Sequence, residues 1–245
     1  MKRDDLLRWL NDYLAVSEVQ DYGPNGLQVE GRDEIHTVVT GVSACVELFQ
    51  RALELGADAV IVHHGLFWQG QDMTVHGVAR KRLKLLLEND VNLLAYHLPL
   101  DKRPEIGNNA LAARALGLTS LEPFVEFGAI GQRDPILASG LVEQVAELYG
   151  RQPLVFAYGP ERVARVAILS GSGAKYVTEA VEQGADAYVT GEPAEYVMNL
   201  AREAGIHFLA AGHYATERLG IRALGEKLAA EFGLRVTFVD VPNPV

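Results

Sequence analysis

Apolar and polar positions follow two alternating patterns along this chain, and together they predict an α/β protein. Leu6, Leu10 and Leu14 recur at helical spacing, which predicts an opening helix at 4–15. Beyond it, short apolar runs typical of buried strands alternate with amphipathic segments. We predict strands at 36–42, 58–62, 91–96, 163–169, 186–190 and 206–210. We predict helices at 45–55, 77–89, 108–116, 174–183, 194–204 and 216–232. This order is typical of mainly parallel sheets covered by helices.

One segment of the pattern occurs twice. Residues 52–59 and 180–187 align without gaps at an offset of 128, with six identities in eight positions. In each copy a helix ends at a glycine and an aspartate opens a short strand. The match indicates an internal duplication. We therefore predict a first α/β lobe at 1–125, a short connection at 126–162, and a second, related lobe at 163–245.

Metal-competent side chains follow four of the predicted strands. Functional groups of open α/β sheets gather at the carboxyl ends of parallel strands, so these positions are where a site is expected. The side chains are His63, His64, His97, Asp101, Glu192, His213 and Glu217. Imidazoles and carboxylates together suit zinc, manganese, iron or nickel. So many ligands from two lobes are enough for two divalent metal ions.

Each of these motifs also has a structural explanation. Two adjacent histidines can simply be exposed at a strand end, and Asp101 or Glu217 could favour a helix N-terminus. Their equivalent places in a repeated fold favour the metal site. We predict that the other histidines, His36, His76 and His207, lie at surface or hydrogen-bonded positions outside it.

Two polar motifs without metal ligands are predicted to be structural. The pair Asn108 and Asn109 follows Gly107 and is predicted to cap a helix. The segment 24–26, Pro-Asn-Gly, is predicted to form a turn.

Composition and charge narrow the classes of partner. The chain has 245 residues, 49% of them apolar, and a net charge of -10 at pH 7, which opposes binding to duplex DNA and to anionic membranes. No stretch reaches membrane-spanning length, and the first residues lack the apolar core of a secretory signal. The single cysteine, Cys45, fits a reducing compartment, so we expect a soluble cytoplasmic protein.

The basic run at 80–84 is predicted to be a solvated helix face, with a phosphate contact as the alternative.

Several longer motifs resemble a known family. They lie at 24–31, 56–65, 97–101, 107–109, 190–192, 211–217 and 242–244. In this order they resemble the dinuclear-metal Nif-three-like family, catalogued as GTP cyclohydrolase I type-two homologues. The match runs from about residue 20 to the C-terminus, without the large inserted domain that some relatives carry.

The resemblance implies two related lobes around a two-metal cleft and a ring-shaped homohexamer. The metal ligands that it implies are His63, His64, Asp101, His213 and Glu217. His63 and Asp101 would hold one ion, His64 and His213 the other, and Glu217 would bridge them. His97 and Glu192 then become catalytic candidates for proton transfer.

A pair of metal ions supports hydrolysis, and the family name implies opening of the purine imidazole ring of GTP or a related nucleotide. One alternative is a hydrolase of damaged nucleotides or of other cyclic amide or phosphoester substrates. Another is a non-enzymatic hexameric module for metal binding or protein interaction. The substrate in the enzymatic cases is a small molecule.

Overall fold

The computed structural model describes residues 1–245 and contains two sheets, each covered by helices. The helices are α1 (Arg3–Tyr13), α2 (Val46–Glu54), α3 (Gly77–Glu88), α4 (Leu98–Lys102), α5 (Asn108–Ala115), α6 (Ala138–Tyr149), α7 (Val177–Glu182), α8 (Val197–Ala204), α9 (His213–Thr216) and α10 (Arg218–Phe232). The strands are β1 (Gly26–Val29), β2 (Thr37–Ser43), β3 (Ala59–His64), β4 (Asn92–Ala95), β5 (Thr119–Phe124), β6 (Gly128–Leu137), β7 (Leu154–Ala157), β8 (Arg162–Leu169), β9 (Ala187–Thr190), β10 (His207–Ala210) and β11 (Arg235–Phe238). None of the helices combines the length and the apolar character needed to cross a bilayer.

The chain divides into two units, each built on one sheet. The first comprises residues 1–106 and 220–241, and its strands lie in the order β1-β4-β3-β2-β11. Strands β4, β3, β2 and β11 are parallel, and β1 is antiparallel at the edge. Val60 and Val62 of β3 pack in one apolar cluster with Leu48 and Phe49 of α2. Both faces of the central strands are buried, as continuous apolar runs predict.

The second unit comprises residues 107–219 and 242–245, and its strand order is β5-β6-β8-β9-β10-β7. Only β8, β9 and β10 are parallel to one another, and the outer strands pair antiparallel. Side chains alternate along β8 between the two faces. Val166 belongs to the cluster that includes α5 and α6 residues, whereas Ala167 belongs to the cluster that includes α7 and α8 residues. Helices therefore cover both faces of this sheet.

The repeated sequence motif has the same local structure in both units. Gly56 and Gly184 have φ of 66° and 72°, the left-handed conformation that favours glycine. Asp58 accepts two backbone N–H groups at the start of β2, at 2.8 and 2.9 Å. Asp186 accepts two at the start of β8, also at 2.8 and 2.9 Å. This equivalence is what the duplication hypothesis requires.

The units divide the chain differently from the predicted lobes. The predicted connection at 126–162 contains β6, α6 and β7, and β6 pairs with β8 over residues 129–132 and 136–137. At the other end, β11 pairs with β2, so the C-terminal helix and strand belong mainly to the first unit. The second sheet is consequently mixed rather than mainly parallel. Pairing with a distant strand satisfies the backbone groups of β11 and decides its sheet.

We expect Asp58→Ala to lower the Tm by about 5–10 °C, because it removes two charge-assisted hydrogen bonds to buried backbone worth about 3 kcal/mol together. Thermal unfolding followed by circular dichroism measures this. Asp12→Ala, at an exposed position of α1, is the matched control and should change Tm little. Equal effects of the two substitutions would contradict the anchoring role of Asp58.

Candidate metal centre

In the first unit, β3 delivers two histidines to the carboxyl edge of the sheet. His63 is buried, and its Nδ1 donates a hydrogen bond to the Tyr96 carbonyl oxygen at 3.1 Å. A carbonyl only accepts, so the proton lies on Nδ1 and the lone pair of the neutral ring lies on Nε2. That Nε2 is 3.5 Å from Asp101 Oδ2. The next residue, His64, has its Nδ1 3.1 Å from Ser43 Oγ at the end of β2.

His97 follows β4 and joins the same cluster. The ring centroids of His63, His64 and His97 are 4.7, 5.0 and 5.5 Å apart. The three residues offer ligand nitrogens that all lie within 4.8 Å of one another. Such a cluster could hold a metal ion, so His97 is placed as well for ligation as for the proton transfer predicted for it.

Asp21 holds His97 in place, and sequence reasoning did not identify it. Its Oδ1 accepts from His97 Nδ1 at 2.8 Å, and its Oδ2 accepts from Asn25 Nδ2 and Leu98 N at 2.8 and 2.9 Å. Burial raises the pKa of this carboxyl, but the hydrogen bonds from His97 and Asn25 outweigh it and the pKa falls to about 2. The available signal was its position just before the Pro-Asn-Gly segment, whose Asn25 also accepts from the His97 backbone N–H at 2.8 Å.

In the second unit, one histidine lies between two carboxylates. His213 opens α9 after β10, and its Nδ1 donates to Glu192 Oε1 while its Nε2 is 3.1 Å from Glu217 Oε2. Burial lowers the pKa of His213, but Glu217 and Glu192 together outweigh it and raise the pKa to about 9. Glu217 is itself buried. The position therefore favours positive charge, supplied by a proton or by a cation.

Glycines after β8 and β9 let this cluster approach the backbone closely. Gly171 has a φ of +69°, and a Cβ on it would lie 2.4 Å from Glu217 Oε1. A Cβ on Gly191 would lie 2.7 Å from the His213 Cα atom. The Gly171 carbonyl also accepts from the backbone N–H groups of Gly191 and Glu192, each at 3.0 Å. Sequence reasoning did not identify this loop, although Ser-Gly-Ser-Gly at 170–173 directly follows a predicted strand.

Asn109 holds the same loop from α5. Its Nδ2 donates to the Phe127 carbonyl oxygen at 2.8 Å, and its Oδ1 accepts from Ser170 N at 2.7 Å. The predicted capping role was wrong, because Gly107 occupies the N-cap position and both Asn108 and Asn109 are buried within the helix.

The remaining histidines have other environments, as predicted. His36 and His76 are exposed, and each lies beside a carboxylate of its own surface loop. His207 is buried, and both of its ring nitrogens are hydrogen-bonded to the backbone of residues 159–160. Their surroundings give them ordinary structural roles.

Residues 1–244 match the model of the family described as Duf34/NIF3 (NGG1p interacting factor 3). The chain belongs to the DUF34/NIF3 family. This confirms the resemblance carried by the sequence motifs.

Relatives of this NIF3 family member match it over its whole length. The protein named GTP cyclohydrolase 1 type 2 homolog from Salmonella typhimurium is 48% identical, with 100% of both chains covered. Its namesake from Pseudomonas aeruginosa is 45% identical, over 95% of this chain and 94% of the relative. Among solved structures, protein ybgI, described as of unknown function, has a TM-score of 0.97 at 46% identity, and TTHA1606 from Thermus thermophilus has 0.94 at 40%. Both structures match over 100% of each chain, so the fold is shared throughout.

We expect Gly171→Ala to displace the Glu217 carboxylate and lower Tm by roughly 5 °C more than Gly184→Ala does. Gly184 is the matched control because its φ is +72° and a Cβ on it meets nothing within 4 Å. Gly184→Ala therefore costs only the backbone strain of a left-handed alanine, about 1 kcal/mol. Thermal unfolding of both variants separates the backbone strain from the clash with Glu217. Equal shifts in Tm would show that a glycine at 171 is not required for the close approach of Glu217.

The contribution of Asp21 to stability should depend on pH. The pKa of its carboxyl falls from 3.8 to about 2 in the folded chain, so its contribution to stability is present above pH 3.8 and is lost as pH falls through 2. Asp21→Asn should therefore reduce the free energy of unfolding by about 2 kcal/mol at pH 6. Denaturant unfolding at a series of pH values should show the difference between the two proteins shrinking toward pH 2. A difference that does not change with pH would contradict the ionic role.

Proposed function

We propose that this chain is a dinuclear-metal hydrolase whose ligands are His63, His64, Asp101, His213 and Glu217. One observation carries the proposal: the Nδ1 atom of each of the three proposed histidine ligands lies against an oxygen of the protein. Those oxygens belong to Tyr96, Ser43 and Glu192. Metal-binding histidines are usually held in this way, because the hydrogen bond fixes the ring and leaves Nε2 as the coordinating atom.

The donor atoms fit divalent cations. Imidazole nitrogens with carboxylate oxygens suit zinc, manganese, iron or nickel. The raised pKa of His213 supports the same conclusion, since the carboxylates around it favour positive charge. A cation would take the place of the proton that His213 Nε2 shares with Glu217. Buried carboxylates otherwise carry a desolvation cost that only a partner offsets.

The chain's own residues supply positioning and proton transfer. When bound, two divalent cations would lower the pKa of water and polarise the bond under attack. His97 is 19% exposed and is held at Nδ1 by the buried Asp21, so its Nε2 is placed to move a proton. Glu192 is 33% exposed, accepts from Ser172 Oγ at 3.4 Å, and orients His213 through its other oxygen. Glu192 is thus the second candidate for proton transfer.

The names of the relatives suggest the first substrate to test. We propose hydrolytic opening of the purine imidazole ring in GTP or a related nucleotide, because full-length relatives are named GTP cyclohydrolase 1 type 2 homologs. Damaged nucleotides and other cyclic amides or phosphoesters are alternative substrates that would use the same ligands.

A binding module is the second candidate function. The description of the matching family, NGG1p interacting factor 3, names a protein interaction. Such a module would bind metal and assemble without turnover. The homohexameric ring implied by the family resemblance remains a prediction for either function, and sedimentation measures it.

We expect Glu217→Gln to lose most of the bound metal together with any metal-dependent hydrolysis, because this buried carboxylate beside His213 is a proposed ligand. His97→Ala should keep most of the metal while turnover falls roughly a hundredfold. His36→Ala, which removes an exposed histidine, is the control and should change neither quantity. Metal stoichiometry by elemental analysis and hydrolysis of a nucleotide panel measure both effects.

Two outcomes would revise the proposal. Metal loss in His97→Ala equal to that in Glu217→Gln would make His97 a ligand. Full metal content without hydrolysis of any nucleotide or cyclic amide would favour the binding module.

A further inference from the structure

The loop at 65–76 forms one wall of a cleft beside the histidine cluster of the first unit. It is anchored to the segment before β1 and to β1 itself by hydrogen bonds. Leu66 N donates to Gln28 Oε1 at 2.7 Å, and Gln69 N donates to the Tyr22 carbonyl oxygen at 2.7 Å. The two walls are therefore tied together, and the cleft between them is built into the fold.

The cleft has the size and lining of a small-molecule site. Its volume is about 550 Å³, within the range of ligand pockets. Its lining includes Asp21, Gly23, Pro24, Phe67, Trp68 and Met73. A Cβ on Gly23 would lie 2.4 Å from the Phe67 carbonyl oxygen and 3.3 Å from the Trp68 ring, so glycine allows the walls to approach. The surfaces offered are mainly flat and apolar.

The cleft adjoins the reactive end of the proposed site through Trp68 and Asp21. The Trp68 ring meets the His97 ring edge to face, with centroids 5.0 Å apart and planes at 89°. Its centroid lies 6.0 Å from that of His64. Asp21 both lines the cleft and accepts from His97 Nδ1. A molecule against Trp68 is thus within reach of His97.

A cationic group lines the adjoining cavity. This cavity of about 200 Å³ shares Phe67 and Met73 with the cleft and is also lined by Arg82 and Asp72. The Nε atom of Arg82 is buried and has no hydrogen-bond partner in the structure. Asp72 is already occupied by bonds from its own loop. A buried guanidinium N–H without an acceptor is costly, and the guanidinium that lines this cavity can donate to an anionic group bound there.

We propose that the cleft binds the planar ring of an aromatic or heteroaromatic substrate, with an anionic substituent reaching Arg82. The Trp68 and Pro24 surfaces supply stacking area for the ring. The Arg82 guanidinium donates hydrogen bonds to the anionic substituent. This inference deepens the proposed function, and it rests on that function only for the claim that the bound molecule is hydrolysed.

The fluorescence of Trp68 can report binding in the cleft. The chain has two tryptophans, so Trp9→Phe leaves Trp68 as the only one. We would titrate this variant, both metal-loaded and after chelator treatment, with guanosine 5′-monophosphate, guanosine and ribose 5-phosphate. Both ring-bearing probes should quench the fluorescence with saturation, and ribose 5-phosphate should bind at least about tenfold more weakly.

Two arginines of α3 form the matched pair. Arg82→Ala, in the Trp9→Phe background, should weaken guanosine 5′-monophosphate about tenfold and leave guanosine unchanged. Arg80→Ala removes the same charge at an exposed position of the same helix and should change neither affinity. Met73→Ala, at a residue that is 66% exposed, should weaken both ring-bearing probes without unfolding the chain.

Any of three results would contradict the proposed binding role of the cleft. The first is that neither ring-bearing probe binds saturably up to about 1 mM. The others are that ribose 5-phosphate binds as tightly as the nucleotide, or that the two arginine substitutions have equal effects. Binding without turnover would support the cleft and count against the hydrolase. Metal-dependent turnover unaffected by Met73→Ala and by Trp68→Leu would do the reverse.

Discussion

The hydrogen bond at histidine Nδ1 is the interaction on which the candidate centre depends, because it fixes both the tautomer and the direction of each ring. Its partners differ in kind. His63 donates to a backbone carbonyl, His64 lies against a hydroxyl, and His97 and His213 donate to carboxylates. A carboxylate partner makes the imidazole more basic than a carbonyl does. At His213, despite burial, Glu217 and Glu192 raise the pKa to about 9.

These partners are supplied by the arrangement of parallel strands. Ser43 ends β2, His64 ends β3, and His97 follows β4, so three neighbouring strands place these groups at one edge of the first sheet. The loops after β8, β9 and β10 do the same in the second sheet, where they carry Gly171, Glu192 and His213. In the second sheet the missing side chains of Gly171 and Gly191 set how closely the loops approach Glu217 and His213.

The sequence predicted the parts of the site that local pattern and chemistry define. His63 and Glu217 follow or adjoin apolar runs and are metal-competent, so they could be identified directly. Asp21 could not, because its contact with His97 joins distant segments and an aspartate in a turn has a sufficient local role. Gly171 was missed for a related reason: its requirement is steric and arises at Glu217, far along the chain. No strand was predicted at 235–238, and these residues were included in the second lobe, because the partner strand β2 lies near the other end of the sequence.

The discontinuous first unit has a consequence for synthesis on the ribosome. Strand β2 pairs with β3 on one side and with β11 on the other, and β11 is made only after all six strands of the second sheet. During translation the second unit can complete most of its sheet while β2 still presents an unpaired row of backbone groups. Such an open edge templates association with other chains. The nascent protein is thus most vulnerable to aggregation at its oldest sheet, and release of the last residues is what closes it.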